Sequence, residues 1–528
     1  MNNLLIVIPA TKKNAVIPDQ LIKKLDGVSL IQRAINTVLE ITSNAKQIFI
    51  ITDSDEISLI AQRNNIAYKK DQSLSLSSEN IIQEVINRTM EFSQQNILLF
   101  RGNTPLLGSD ILKSAYSKFL ELENNLLVSV KQETQNIYTI EDNKLEGIET
   151  QNLCEEIGGF YIFNKYSINE VRFTRTPYIV PDEQSIEISN YQSWWVCEKI
   201  LQRRRIVFNV FGSVEIGMGH IYHSLSLAHD ITDHEIVFIC DERYELALNK
   251  IASMDYKVVT SKNVESSILD LNPDMVINDV LNTTDEFILN LKEQGIVVVN
   301  FEDLGSGSDH ADIVFNELYE GAQKQGNHYY WGHKYLTLRD EFYDVKPNLF
   351  KDNVEEVLIM FGGSDQNDLT FKALNSISDI CEKCNIKINI ICGSGYLFLD
   401  KLRAHLEKSK YKDIYLHHSI ASVSEIMAKA QLAISSNGRT VFELAEMNIP
   451  SIIISHHERE STHDFAKLER GFVNLGVISE RTITDIRSTF SKLVYENDYR
   501  ELLYSNISGY SFGKNKEKVL KLILSYLT

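Results

Sequence analysis

The sequence predicts an α/β protein in which one βαβ domain is followed by two further βαβ lobes. Three observations carry that reading. Short apolar runs alternate with amphipathic stretches of helical spacing along most of the chain. The rhythm breaks and restarts near residue 204, and again after an aromatic, loop-rich stretch that ends near 345. A chain of 528 residues is also too long for a single core. The expected divisions are 1–204, 206–345 and 346–528.

In the first segment, LLIVIPA, KQIFIITDSD and NILLFRGNTPLL read as buried parallel strands. VSLIQRAINTVLEI and NIIQEVINRTMEFS between them have helical spacing. A second series begins with RIVFNVFGS and continues through HEIVFICDE, MVINDVL, IVVVNFED and ADIVFN. The third comprises EEVLIMFGGSD, IKINIICGSG, DIYLHHS, LAISSNG and IPSIIISHH. Such sheets place ligands at the carboxyl ends of their strands. Arg203–Arg205 lie at an apparent helix end, where like charges are usually only solvated, and they are assigned no function.

Apolar residues at 43% and charged residues at 24% suit an ordinary globular chain. No run reaches the ~18–20 apolar residues of a membrane helix. MNNLLIVIPA lacks a basic leader and reads as a first strand, so a cytoplasmic location is expected. A net charge of −19 argues against nucleic acid as a partner. Six cysteines form no disulfide framework, and Cys381 and Cys384 read as reduced thiols on successive helical turns. His456, His457 and His463 lack an accompanying carboxylate motif, so no metal site is expected there.

Three segments can carry chemistry. In GSVEIGMGHIYHSLSLA (212–228), Gly217 and Gly219 let backbone approach a ligand. His220 follows where loop becomes helix, and a helix N-terminus keeps an imidazole neutral as a base. A packing or capping role for His220 is the alternative. In FGGSDQNDLT, Gly362, Gly363, Ser364 and Asp365 follow a strand and can face a diphosphate or sugar. Ser364 or Asp365 can equally cap the next helix. In SSNGRTVFELAEM, Asn437 and Gly438 lead to Thr440 and Glu443. Amides there suit nucleotide phosphates, and Glu443 suits ribose hydroxyls. The same spacing fits a capping box with Thr440 as N-cap.

GMGH (217–220), GHKYLTLRDEF (332–342), FGGSDQND (361–368), SSNGRTVFELA (435–445) and EREST (458–462) occur in one order. That series resembles the UDP-sugar hydrolase of pseudaminic acid biosynthesis over roughly 206–520. The resemblance implies a two-lobed GT-B-type module like the MurG-type glycosyltransferases. It implies release of UDP from a UDP-linked 2,4-diacetamido-2,4,6-trideoxyhexose with no metal or other cofactor. His220 is then the catalytic residue that helps water attack the anomeric carbon, with Gly217 and Gly219 beneath the sugar phosphate. Thr440 and Glu443 hold UDP, and Glu460, Ser461 and Thr462 lie beside the sugar or nucleotide. The family has Arg three residues after its His, where this chain has His223, which can substitute only when protonated. The family's Asn-Gln pair is Glu458-Arg459 here.

IPATKKNAVIPDQLIKKLDGVSLIQRAI, ITDSDEISLIAQRNNI, FRGNTPLL and GGFYIFNK resemble cytidylyltransferases that activate acidic sugars, including the spore-coat polysaccharide branch. This implies a Rossmann-like nucleotidyltransferase (GT-A-like) domain with CTP and a nonulosonic acid as partners and Mg²⁺ as cofactor. Lys12, Lys13, Lys23 and Asp53 are the candidates for nucleotide binding. The family's first loop reads IPAR followed by Gly, Ser and Lys, whereas this chain has Thr11-Lys12-Lys13. Asn103 stands where an Asp binds metal, and 186–193 reads IEISNYQS. Asn and Ser are poor Mg²⁺ ligands, so the domain is expected to keep the fold with impaired or absent activity. For the later module, a UDP-sugar-dependent glycosyltransferase and a non-catalytic nucleotide-sugar scaffold remain the alternatives.

Overall fold

A computed structural model describes residues 3–12, 14, 16–74, 81–122, 125–132, 136–141, 144–148, 153–167, 174–213, 217–343, 345–420 and 422–527, with residues 125, 141 and 148 by backbone only. The chain forms two compact units, Met1–Arg203 and Arg204–Thr528.

The first unit is built on a seven-stranded sheet. Leu4–Ala10 is central, between Asn96–Phe100 and Ile48–Thr52, and is parallel to both. Leu4, Ile6 and Ile8 enter the core on one face, and Leu5 and Val7 enter that on the other. Alternating side chains thus explain an unbroken apolar run. Ser29 accepts a hydrogen bond from Gln32 N and caps the helix Leu30–Leu39. The expected all-parallel sheet is corrected here. Cys154–Asn164 runs antiparallel to both Asn96–Phe100 and Asn125–Gln132. A small two-stranded sheet, Ile137–Glu141 with Lys144–Ile148, lies between the paired strands in sequence. A parallel pair needs a long crossover, most often helical, and that stretch supplies a hairpin instead.

The second unit contains two parallel sheets. In the first lobe the order is Val258–Ser261, Glu235–Asp241, Arg205–Val210, Met275–Asp279, Val297–Phe301, Ile313–Asn316 and Tyr329–Trp331. In the second lobe it is Ile414–His418, Lys387–Cys392, Glu356–Met360, Leu432–Ser435, Ser451–Ser455 and Phe472–Val477. Tyr329–Trp331 is a strand inside the stretch read as loop, too short to show a period.

The helix Asn515–Leu524 returns to the first lobe. Val519, Leu520 and Ile523 join Ile206, Phe208 and Phe301 in one core. Lys516 is buried and pairs with Asp230 and Asp340 at 2.7 and 2.6 Å. Cys381 and Cys384 lie in the helix Leu369–Cys384, and all six cysteines are free. Among the described residues, no helix is long and apolar enough to cross a membrane.

Candidate active site

The loop after Arg205–Val210 leads through Gly217, at φ +91°, into the helix Gly219–His229. His220, His223 and Ser224 sit three and four residues apart on one face of it. All three meet Asp279, the last residue of the adjacent strand. His220 Nδ1 lies 2.6 Å from Asp279 Oδ1, and His223 Nδ1 lies 2.6 Å from Oδ2. Ser224 Oγ donates to Oδ2 at 3.0 Å. Asp279 is fully buried. Burial works to raise its pKa, but the two imidazoles outweigh it and hold the carboxyl well below the usual range.

With Asp279 ionised, each Nδ1 donates, which leaves Nε2 as the ring position that gains or loses a proton. His220 Nε2 is 3.8 Å from Glu302 Oε2. Phe211 stacks on the His220 ring at 4.8 Å. Glu302 has φ +53° and Leu281 has φ +63°. Both follow strand ends and both line the same cavity as His220. Non-glycine residues held in this region store strain of order 1–3 kcal/mol, and they gather at functional sites.

Burial lowers the proton affinity of His220, but the charge and hydrogen bond of Asp279, with Glu302, reverse this, and its pKa is raised. This corrects the expectation of a weakly basic imidazole at the helix N-terminus: the carboxylates of Asp279 and Glu302 favour its protonated form. His223 differs. Burial and then Arg439 push its pKa down, so it is neutral and does not replace a fixed positive charge.

Two cavities open between the lobes at the carboxyl ends of their strands. One, of about 340 Å³, is lined by Gly217, Gly219, His220, Glu302, Gly438 and Glu460 among others. The other, of about 140 Å³ and mostly apolar, is lined by His223, Arg339, Ile391, Val423, Thr440 and Glu443 among others. Gly362 and Gly363 line both, and Ser364 lines the larger. A Cβ on Gly363 would come within 3.2 Å of Met218 Cβ, so this glycine permits a close approach of the lobes.

Several proposed ligand contacts are occupied by the fold. Asp365 accepts from Leu369 N and Thr370 N at 2.8 and 2.7 Å, so it caps the next helix and lines neither cavity. Asn437 donates to the carbonyls of Glu460 and His463, both at 2.9 Å, and braces the loop from behind. Ser461 and Thr462 donate to Glu458 and Arg459 carbonyls within their own turn. Neither lines a cavity, because their hydroxyls satisfy helix-end acceptors. Thr440 is not an N-cap. It is the first residue of Thr440–Glu446, preceded by Arg439 in helical conformation with no side-chain cap.

Glu443 Oε1 accepts from Arg339 Nε at 2.9 Å, while Oε2 is buried without a partner. Burial pushes the pKa of Glu460 up to about 7, and its Oε2 accepts from His456 N at 2.5 Å. His457 caps the turn Glu458–Ser461, and His463 Nδ1 faces the Asn437 carbonyl at 2.8 Å. His456, His457 and His463 all line the larger cavity.

Sequence reasoning missed Asp279, Glu302, Glu317 and Arg439. The signal was the acidic residue closing successive strands in MVIND and VVVNFED. Arg439 Nη2 pairs with Glu317 and lies 3.5 Å from Glu302 Oε1.

Residues 357–498 match the glycosyltransferase family 28 C-terminal domain. That span contains every residue of the second lobe that lines the two cavities. An uncharacterized protein of Methanocaldococcus jannaschii is 31% identical over 278 residues, covering 48% of this chain and 57% of its own length. The spore coat polysaccharide biosynthesis protein SpsG of Bacillus subtilis is 24% identical over 269 residues, 47% of this chain and 77% of that protein. The third relative is the Helicobacter pylori pseudaminic acid cytidylyltransferase and UDP-2,4-diacetamido-2,4,6-trideoxy-beta-L-altropyranose hydrolase. It is 25% identical over 229 residues, 42% of this chain and 40% of that protein. The chain thus spans little more than half of the archaeal relative and less than half of the Helicobacter one. Acinetobacter baumannii MurG superposes with a TM-score of 0.43 at 14% identity over 61% of this chain and 99% of that one. The 4-diphosphocytidyl-2C-methyl-D-erythritol synthase of Anaerococcus prevotii gives 0.31 at 13% over 38% and 99%.

In the first unit, Lys12 Nζ is tied to Glu56 at 2.7 Å, and Asp53 Oδ1 accepts from Lys12 N at 2.6 Å. Lys23 is exposed, and Lys13 lies outside the described residues. Asn103 Nδ2 donates to Glu187 Oε1 at 2.7 Å, so the 186–193 segment does supply a carboxylate there. Arg101 Nη2 lies 3.5 Å from the same oxygen, a fixed positive charge beside the carboxylate. These residues do not fit Mg²⁺.

Proposed function

We propose that the Arg204–Thr528 unit hydrolyses a UDP-linked diacetamido-trideoxyhexose to UDP and free sugar, on the route to a pseudaminic-type nonulosonic acid. The observation that carries this reading is His220, oriented by buried Asp279 and presented to the larger interlobe cavity beside Glu302. The sugar occupies that cavity, and the nucleoside occupies the apolar one beside Thr440 and Glu443. Water attacks the anomeric carbon and passes a proton to His220 Nε2. The bond from that carbon to the diphosphate breaks, and UDP leaves with its electrons. Positioning the water and holding the leaving anion in a dry cleft supply the rate. The activity for which the Helicobacter relative is named supports the choice of sugar.

The family 28 match favours a second reading, transfer to a sugar or lipid hydroxyl in place of water. Purified full-length protein is incubated with UDP-sugars, with and without acceptors, and products are read by mass spectrometry. Free sugar without acceptor, lost in His220→Ala, supports hydrolysis. UDP release only with acceptor supports transfer. UDP binding without turnover by the wild-type chain reduces the unit to a scaffold.

For Met1–Arg203 we propose a retained nucleotidyltransferase-like domain without cytidylyl transfer, because its loop lysine and acidic residues are already paired.

A further inference from the structure

We infer that Arg439 is the cation that takes hold of the ligand's diphosphate, an assignment that rests on reading the cleft as a UDP-sugar site. The two cavities share Met218, Gly219, Gly362, Gly363, Arg439 and Thr440. A diphosphate joining a sugar in one cavity to a nucleoside in the other must cross at these residues. Three of these six are glycines, and Arg439 is the one among them with a charged side chain.

Among the described residues, three arginines and no lysine line the cavities. Arg339 is spent: Nε and Nη2 both meet Glu443 Oε1 at 2.9 Å, and Nη1 meets Glu341 at 2.8 Å. Arg459 lines only the larger cavity, and its Nη2 donates to the Glu302 carbonyl at 3.1 Å. Arg439 alone lines both. Its Nη2 is held by Glu317, but Nη1 is buried without an acceptor. A buried guanidinium N–H left unpaired costs on the order of 1–3 kcal/mol, and an arriving phosphate oxygen removes that cost with a charge-assisted bond. The neighbouring histidine, His223, is buried with its Nδ1 committed to Asp279 and supplies no competing charge. Glu302 and Glu317 on their own would repel a diphosphate, and Arg439 pairs with both.

The test compares UDP with uridine by calorimetry on the full chain, for the wild type, Arg439→Gln and Arg439→Lys. A double variant, Arg439→Gln with Glu317→Gln, removes both buried partners together and guards against misfolding; thermal melting is measured throughout. UDP affinity should fall about 10- to 100-fold in both glutamine variants, with partial recovery in the lysine variant. Uridine affinity should be unchanged. Equal losses for UDP and uridine, or no loss for UDP, overturn the assignment and leave Arg439 as a bridge between lobes. A wild-type chain that binds neither ligand overturns the nucleotide-sugar reading, and the assignment with it.

Discussion

His220 Nδ1 donates to Asp279 Oδ1 at 2.6 Å, and that bond decides which ring nitrogen faces the cleft. A buried carboxylate behind a catalytic imidazole fixes its tautomer and stabilises the imidazolium formed when a proton arrives. Asp279→Asn keeps the shape but lets the ring turn over. The expected outcome is a kcat lower by about 10²- to 10⁴-fold with little change in KM, measured as UDP release from the turned-over sugar nucleotide. A loss confined to KM would count against the orienting role.

The pH dependence follows from the raised pKa of His220. A base must be unprotonated, so activity falls as pH drops through that raised value. Glu302 is one of the charges that raise it. Glu302→Gln therefore moves the acidic limb of the kcat/KM profile to lower pH. Full pH–rate profiles of both proteins check the direction, and an unmoved limb would detach Glu302 from the imidazole.

Glu460 makes a separate prediction about stability. Burial raises its folded pKa from 4.5 to about 7, so the folded chain binds more protons between those values. Stability from this group is therefore lost as pH rises through that window, by on the order of 3 kcal/mol. Glu460→Gln should melt later than the wild type at pH 8 and match it near pH 4.5. Urea or thermal melts of both proteins at the two pH values measure the difference.

For the first unit, incubation with CTP, Mg²⁺ and a nonulosonic acid should release no pyrophosphate above background. Lys12 is paired with Glu56, and Arg101 occupies the neighbourhood of the Glu187 carboxylate. Robust release, read by a coupled phosphate assay, would mean that these pairs open when the nucleotide binds.

Much of the fold was legible because its strands are buried on both faces. Runs such as RIVFNV, EVLIM and SIIIS need no tertiary information to be read. The antiparallel Cys154–Asn164 was not legible, since direction is set by the connection and not by apolar pattern. At the site, GMGH announced a loop before a helix, and His220 indeed lines a cleft. Its basicity was misjudged because Asp279 and Glu302 are distant in sequence, and only the sheet brings their strand ends alongside that helix. Asp365 shows the reverse error. A polar residue after a strand suits a ligand or a helix start equally well, and only the hydrogen bonds of Asp365 to Leu369 N and Thr370 N separate the two.

The return of Asn515–Leu524 to the first lobe has a consequence for how the chain assembles. Phe208 and Phe301 are covered in part by Val519, Leu520 and Ile523, supplied from far downstream. On a ribosome, the lobe made first must therefore wait, with an open seam of apolar side chains, until the other lobe has emerged. Such distant contacts slow folding and expose sticky intermediates. Cutting the gene between the lobes would not yield two independent pieces, because the earlier one would lack its own lid.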